Sequence, residues 1–225
     1  MNEDLGKLVE AIKDRHSVRS YMNLPIEQEK LDKLSEIIEE CNKEGDLHIQ
    51  LCNKAGKTYS RIMNKVAGLG SAPSVIACVG KDDATLDERV GYYGEKIVLC
   101  AQQLGLSTCW TGTFSAKNVP VMVSGGERLV IVIAVGYGAN GGRPHKSKSM
   151  EQVLATTGQT PKWFDFGVDM ALLAPTAINQ QKFRIGLKDD GTVTFEDKGG
   201  PFSKVDLGIV KYHFEVGAEY IKSQS

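Results

Sequence analysis

No apolar run in the chain is long enough to cross a bilayer, which takes roughly 20 apolar residues in succession. Cysteine is scarce. Cys41, Cys52, Cys78, Cys100 and Cys109 are all there are, and no two form a C-x-x-C pair, which argues against zinc. An odd number of them points to free thiols. An excess of charge is missing too. The 27 Lys and Arg stand against 28 Asp and Glu, for a net charge of -1. Such a balance advertises neither a nucleic-acid nor a membrane surface, so any basic cluster must act locally. The opening MNEDLGKLVEAIKD is acidic and amphipathic, unlike a signal peptide, and the cytoplasm is the expected location.

What is present reads as a soluble globular chain. Hydrophobic residues make up 41% and charged residues 24%, and 225 residues suffice for a real core, as one large domain or two interlocked halves. Leu5, Leu8, Val9 and Ile12 predict a helix up to about Asp14, and Leu31, Leu34, Ile37, Ile38 and Cys41 a second one entered after Pro25. Leu86, Val90, Tyr93, Ile97, Ala101 and Leu104 mark the cleanest helix, which Gly105 should stop. LHIQLC alternates like a strand, SVIACVG after Pro73 reads as a buried strand, and LVIVIAVGYG from Leu129 as a central one. Residues 138–149 hold no period and read as loop. FRIGLKDDGTVTFED predicts a hairpin about Asp190-Gly191, and Ser203 with Asp206 a capping box opening a last helix to about Ile221. Helices and strands mix without strict alternation, so the fold class is α+β.

Four stretches could carry chemistry. RHSVRSY sets Arg15, His16 and Arg19 around Ser17, a cluster of donors suited to phosphate oxygens; a solvated basic turn is the bland alternative. GYGANG has the G-x-G-x-x-G spacing of a dinucleotide loop, but GRPHKSKS after it is poor helix material, so a glycine-rich strand exit is the better reading. LLAPTAINQQKF offers the amides of Asn179, Gln180 and Gln181, either surface groups at a helix end or readers of a planar heteroaromatic ring. GLSTCWTGTF reads as a helix stop followed by a small-residue loop, with Trp110 in the core or with backbone N–H groups turned to a ligand beside Gly112.

Taken together, these stretches resemble the FMN-dependent nitroreductase family over most of residues 8–186. In that family an Arg-Arg/His-Ser segment after the first helix grips the FMN phosphate, which implies that role for Arg15, His16, Ser17 and Arg19. An Ala-Pro-Ser/Thr-Ala-x-Asn segment lies along the flavin, matched here by Pro175, Thr176, Asn179 and Gln181, with Lys182-Phe183 replacing the usual Pro-Trp. The loop after the long helix approaches flavin N5, a role that falls to Thr111 and Gly112. A basic tail usually returns to the phosphate, which suggests Lys146 or Lys148 and, less strongly, Arg143. The implied fold is a mainly antiparallel central sheet flanked by helices, and the implied cofactors are FMN with NADH or NADPH as electron donor. The partner is then a small electron-poor substrate such as a nitroaromatic or a quinone, reduced by a ping-pong mechanism. No side chain needs to act as a general base. The flavin-binding cluster is expected to serve the ligand and not the core.

The motif order departs from the family's. The APTAIN segment comes after the basic tail, and VDLGIVKYHFEVGA loosely echoes RVGYYGEKIVLCA, aligning Gly208 with Gly91 and Ala218 with Ala101. Ordinary members are homodimers with each flavin between two chains. The resemblance therefore implies an internally duplicated chain, with residues 1–158 as the first half and residues 159–225 in the partner's role. A monomeric pseudo-dimer is favoured over a homodimer. A flavin carrier or sensor is the alternative function, favoured by any side chain that blocks the ring face; Phe114 and Phe183 are the candidates.

Overall fold

The computed structural model describes residues 2–53, 58, 72–144 and 146–224. A four-stranded antiparallel sheet is built from β1 (Gln50–Asn53), β2 (Ser74–Lys81), β3 (Ser107–Thr111) and β4 (Glu127–Gly136), in the order β1-β2-β4-β3. The unbroken apolar run of β4 has a simple cause: both faces of the sheet are covered. Alternate residues divide between two clusters. Ile76, Cys78, Ile131, Ile133 and Val135 join one, and Val75, Ala77, Val132 and Ala134 the other.

The helices are α1 (Asn2–Asp14), α2 (Gln28–Gly45), α3 (Leu86–Gln103), the one-turn α4 (Met150–Val153), α5 (Lys162–Ala171) and α6 (Ser203–Lys222). Gly105, at φ +73, ends α3 as its position suggests, with Leu106 N–H closing back on Ala101 O at 2.9 Å. A separate hairpin pairs β5 (Phe183–Leu187) with β6 (Val193–Asp197) around Gly191. The hairpin joins the body through a bridge between Leu154 and Ile185 and a Phe195–Phe214 edge contact with ring centroids 5.4 Å apart. The largest apolar cluster runs from Ile26 to Ala218 and draws on residues either side of position 158.

Helices α3 and α6 cross at their glycines. A Cβ on Gly91 would stand 2.0 Å from Val205 O, and one on Gly208 would stand 2.0 Å from Glu88 O. Only glycine lets the two backbones approach so closely.

Three local expectations need correction. LHIQLC pairs as a strand only from Gln50 onward, while Leu47 makes an isolated bridge to Gly80. The stretch after Gly105 is edge strand β3 before it is a loop, because Ser107–Thr111 pair with β4. The capping box at Ser203 does not form. Phe202 is the N-cap, in a left-handed conformation, and the Ser203 hydroxyl donates instead to Asp197 at 2.9 Å. A capping box does form at α4, between Ser149 and Gln152. Among the described residues no helix is long and apolar enough to cross a membrane.

Candidate functional site

The segment after α1 is stitched between two strands. Arg15 N–H closes α1 on Ala11 O, Val18 N–H donates to Thr108 O of β3 at 3.0 Å, and Met22 N–H to Tyr137 O beyond β4 at 2.8 Å. Ala139 N–H returns a bond to Ser20 O at 2.8 Å. Here lies the use of GYGANG: no helix opens directly after it among the described residues, and the glycine that follows it backs the cluster, since a Cβ on Gly142 would come within 2.8 Å of His16 Cβ.

Against this segment lies a cleft of about 360 Å³ walled by Arg15, His16, Ser17, Arg19 and Arg143, facing Pro175, Thr176, Ile178 and Asn179. Among the described residues no carboxylate lines it. Arg19 and Arg143 are exposed and make no ion pair among the described residues. Guanidinium groups gathered without an acid favour an anion, and their planar forks suit phosphate or carboxylate oxygens.

Arg15 differs from its neighbours. It is 4% exposed, and its Nε lies 3.6 Å from Glu95 Oε1 without a hydrogen-bond partner. Glu95, fully buried on α3, also accepts from Trp110 Nε1 at 2.8 Å and meets His213 Nε2 at 2.9 Å. His213 Nδ1 faces Met170 O at 3.1 Å and therefore donates to it. A buried polar network thus runs from the cleft wall into the α5–α6 packing. The expectation that the cluster serves only a ligand is corrected for Arg15, whose Nε also packs against the buried Glu95 side chain.

A smaller cavity of about 100 Å³ continues the cleft, sharing Ser17, Arg19, Pro175 and Thr176 and adding Trp110, Gly112, Phe202 and Asp206. The backbone around it is strained. Ile178, Asn179, Gln181 and Phe202 have φ of 49°, 56°, 45° and 54°, and the one other described non-glycine residue with positive φ is Asp46. Such backbone costs about 1–3 kcal/mol per residue and clusters at functional sites. Asp206, on the first turn of α6, holds the strained turn in place. Its carboxylate accepts from Ala177 N–H at 2.9 and 3.1 Å and from Gln180 Nε2 at 2.7 Å. Burial pushes the Asp206 carboxyl up to about 6, outweighing the lowering effect of those donors.

The model of the family described as "Putative TM nitroreductase" matches residues 7–218. The chain belongs to this nitroreductase family. No curated protein matches its sequence. The chain is similar in structure to a "putative nitroreductase" from Thermotoga maritima, at TM-score 0.70 and 23% identity over 96% of this chain and 85% of that one. It is also similar to a "putative nitroreductase in complex with FMN" from Desulfovibrio desulfuricans, at TM-score 0.54 and 17% identity over 68% and 98% of the two chains. A third, a "Putative NADH dehydrogenase/NAD(P)H nitroreductase" from Parabacteroides distasonis, gives TM-score 0.53 and 19% identity over 68% and 98%. The fold is therefore nitroreductase-like, and α+β as the sequence pattern suggests.

In this nitroreductase the cleft brings together eight of the residues singled out from sequence: Arg15, His16, Ser17, Arg19, Gly112, Pro175, Thr176 and Asn179. Thr111 is buried at the end of β3, its hydroxyl donating to Cys109 O at 3.2 Å. Gln181 is 3% exposed and spends its amide on the basic tail, accepting from Lys148 N–H at 2.8 Å and donating to Lys146 O at 2.9 Å. Lys148 Nζ donates to Gln181 O at 2.6 Å, so Arg143 is the tail residue that lines the cleft. Phe183 lies in the core and Phe114 packs beside the second cluster; the aromatic that reaches the cleft from beyond β6 is Phe202. Phe202, Glu95 and His213 escaped the sequence reading, and Asp206 entered it only as the capping partner of Ser203. Only GGPF before the last helix could have hinted at the first of them.

Proposed function

We propose that this chain is an FMN-dependent oxidoreductase that takes hydride from NADH or NADPH and reduces a small electron-poor acceptor, a nitroaromatic or a quinone, one substrate after the other. The observation that carries this reading is the cleft of Arg15, Arg19 and Arg143, lined by no acid among the described residues and opening beside a narrow slot at Gly112. The donor set suits FMN. Arg19, Arg143, Ser17 and the part of Arg15 that lines the cleft would hold the phosphate. Pro175, Thr176 and Asn179 would line one side of the ring, with Gly112 and Trp110 on the other. The FMN-bound Desulfovibrio structure and the NAD(P)H in the name of the Parabacteroides protein support the cofactor and donor.

Bound FMN supplies the hydride and electron chemistry. The chain binds and orients. Gly112, with no side chain, lets the backbone come close to a planar ligand. The strained 177–181 turn, braced by Asp206, keeps the opposite wall in register.

The chain reads as a single-chain pseudo-dimer. β2 with α3 and β6 with α6 follow the same order, and their aligned glycines, Gly91 and Gly208, meet at the helix crossing. Residues 159–225 then stand in for a partner subunit, giving one flavin site per chain. The carrier reading draws on Phe202, whose ring covers Gly112. Binding of FMN and of riboflavin to the purified chain tests the cofactor assignment: FMN should bind more tightly by at least about tenfold, since only it carries the anion. Equal affinities would remove the assignment of the arginine cleft.

A further inference from the structure

The slot beside Gly112 is already filled. A Cβ on Gly112 would stand 2.3 Å from Phe202 Cε2, 2.5 Å from Cζ and 3.2 Å from Cδ2, so the phenyl ring lies directly against the glycine face. The space left there is about 100 Å³, against about 360 Å³ on the arginine side. Cofactor-sized sites need roughly 300–1,000 Å³. The slot therefore admits a planar ring only if the phenyl leaves.

Nothing in the core asks for Phe202. It is 39% exposed, belongs to none of the buried clusters, and joins no aromatic pair among the described residues. Its backbone sits at φ 54, a conformation costly for a bulky residue, and it caps α6 without a side-chain hydrogen bond. Gly199 and Gly200, at φ +76 and +125, lead the chain into this corner. Gln180 Nε2 donates to Pro201 O at 2.8 Å, and Asp206 N–H to Phe202 O at 2.9 Å, which fix the backbone and leave the side chain as the part free to turn.

We infer that Phe202 gates the slot beside Gly112: its phenyl fills the space a planar ligand ring would take there and must swing out for that ring to bind. The inference rests on the FMN reading above. A binding-competent state that is only partly populated weakens apparent affinity by its fraction, and removing the competitor lifts that handicap. The test compares wild type with Phe202→Gly and Phe202→Ala, measuring FMN and riboflavin affinity by flavin fluorescence and folding by thermal melt. Gly adopts φ 54 freely, so Phe202→Gly should melt no lower than wild type. Both variants should bind FMN and riboflavin more tightly by a common factor, roughly tenfold if the open state is a tenth of the population. Unchanged or weaker binding of both flavins by folded variants, with wild type still binding FMN, would overturn the inference and leave the FMN reading standing. Failure of every form to bind either flavin would remove the FMN reading, and the inference with it.

Discussion

Arg15 and Arg19 lie four positions apart on one wall of the cleft, yet they answer to different forces. Arg19 is exposed and makes no ion pair among the described residues, so its charge is available to a ligand. Arg19→Ala should lower FMN affinity by about 10- to 100-fold, the worth of one or two charge-assisted hydrogen bonds, while riboflavin affinity and melting temperature stay put. Arg15 sits against the buried carboxylate of Glu95. Arg15→Ala removes one of the partners of Glu95 and leaves His213 and Trp110 beside it; breaking a buried pair costs up to about 3–5 kcal/mol, and chemical denaturation should register a loss even without flavin. An Arg15→Ala variant as stable as wild type would show that Glu95 is neutralised elsewhere. The sequence displayed both arginines equally, because nothing local to RHSVRSY records Glu95, eighty residues further on.

Among elements, the α3–α6 crossing and the Asp206 brace are the sensitive points. Gly91→Ala drives a methyl into Val205 O, a backbone atom that moves only if the helices part. A loss of about 3 kcal/mol or more in urea unfolding is expected, at the upper end of overpacking effects. Asp206 gives a pH signature. Its folded carboxyl is raised from 3.8 to about 6, so folding favours the protonated form. That contribution is complete below the unfolded value and is lost as pH rises through 6. Wild-type stability should therefore carry a downward component between about pH 4 and 6 that Asp206→Asn removes. Element periods were largely legible: α3, β2 and β4 follow their apolar spacing. β3 was not, because STCWT is short and mixed and becomes a strand only by pairing with β4. The capping box at Ser203 failed because Asp206 is recruited by Ala177 and Gln180, partners that no local pattern reveals.

At the scale of the whole molecule, one apolar cluster binds residues on both sides of position 158, and α3 and α6 meet at Gly91 and Gly208. The account predicts a monomer in solution with one FMN per chain; sedimentation equilibrium showing an obligate dimer would count against residues 159–225 as a stand-in partner. The cleft itself was legible as a set of motifs scattered over about 170 residues, and folding gathers them. What stayed hidden was the aromatic that closes the slot, because its role depends on the path of GGPF past Gly112. The most direct test of the central claim is the visible spectrum of the FMN-loaded protein under anaerobic conditions, before and after NADH or NADPH is added. Bleaching of the flavin band by either nucleotide, reversed by a nitroaromatic or a quinone, is the predicted result. A flavin band that neither nucleotide bleaches, or a chain that retains no flavin at all, would contradict it.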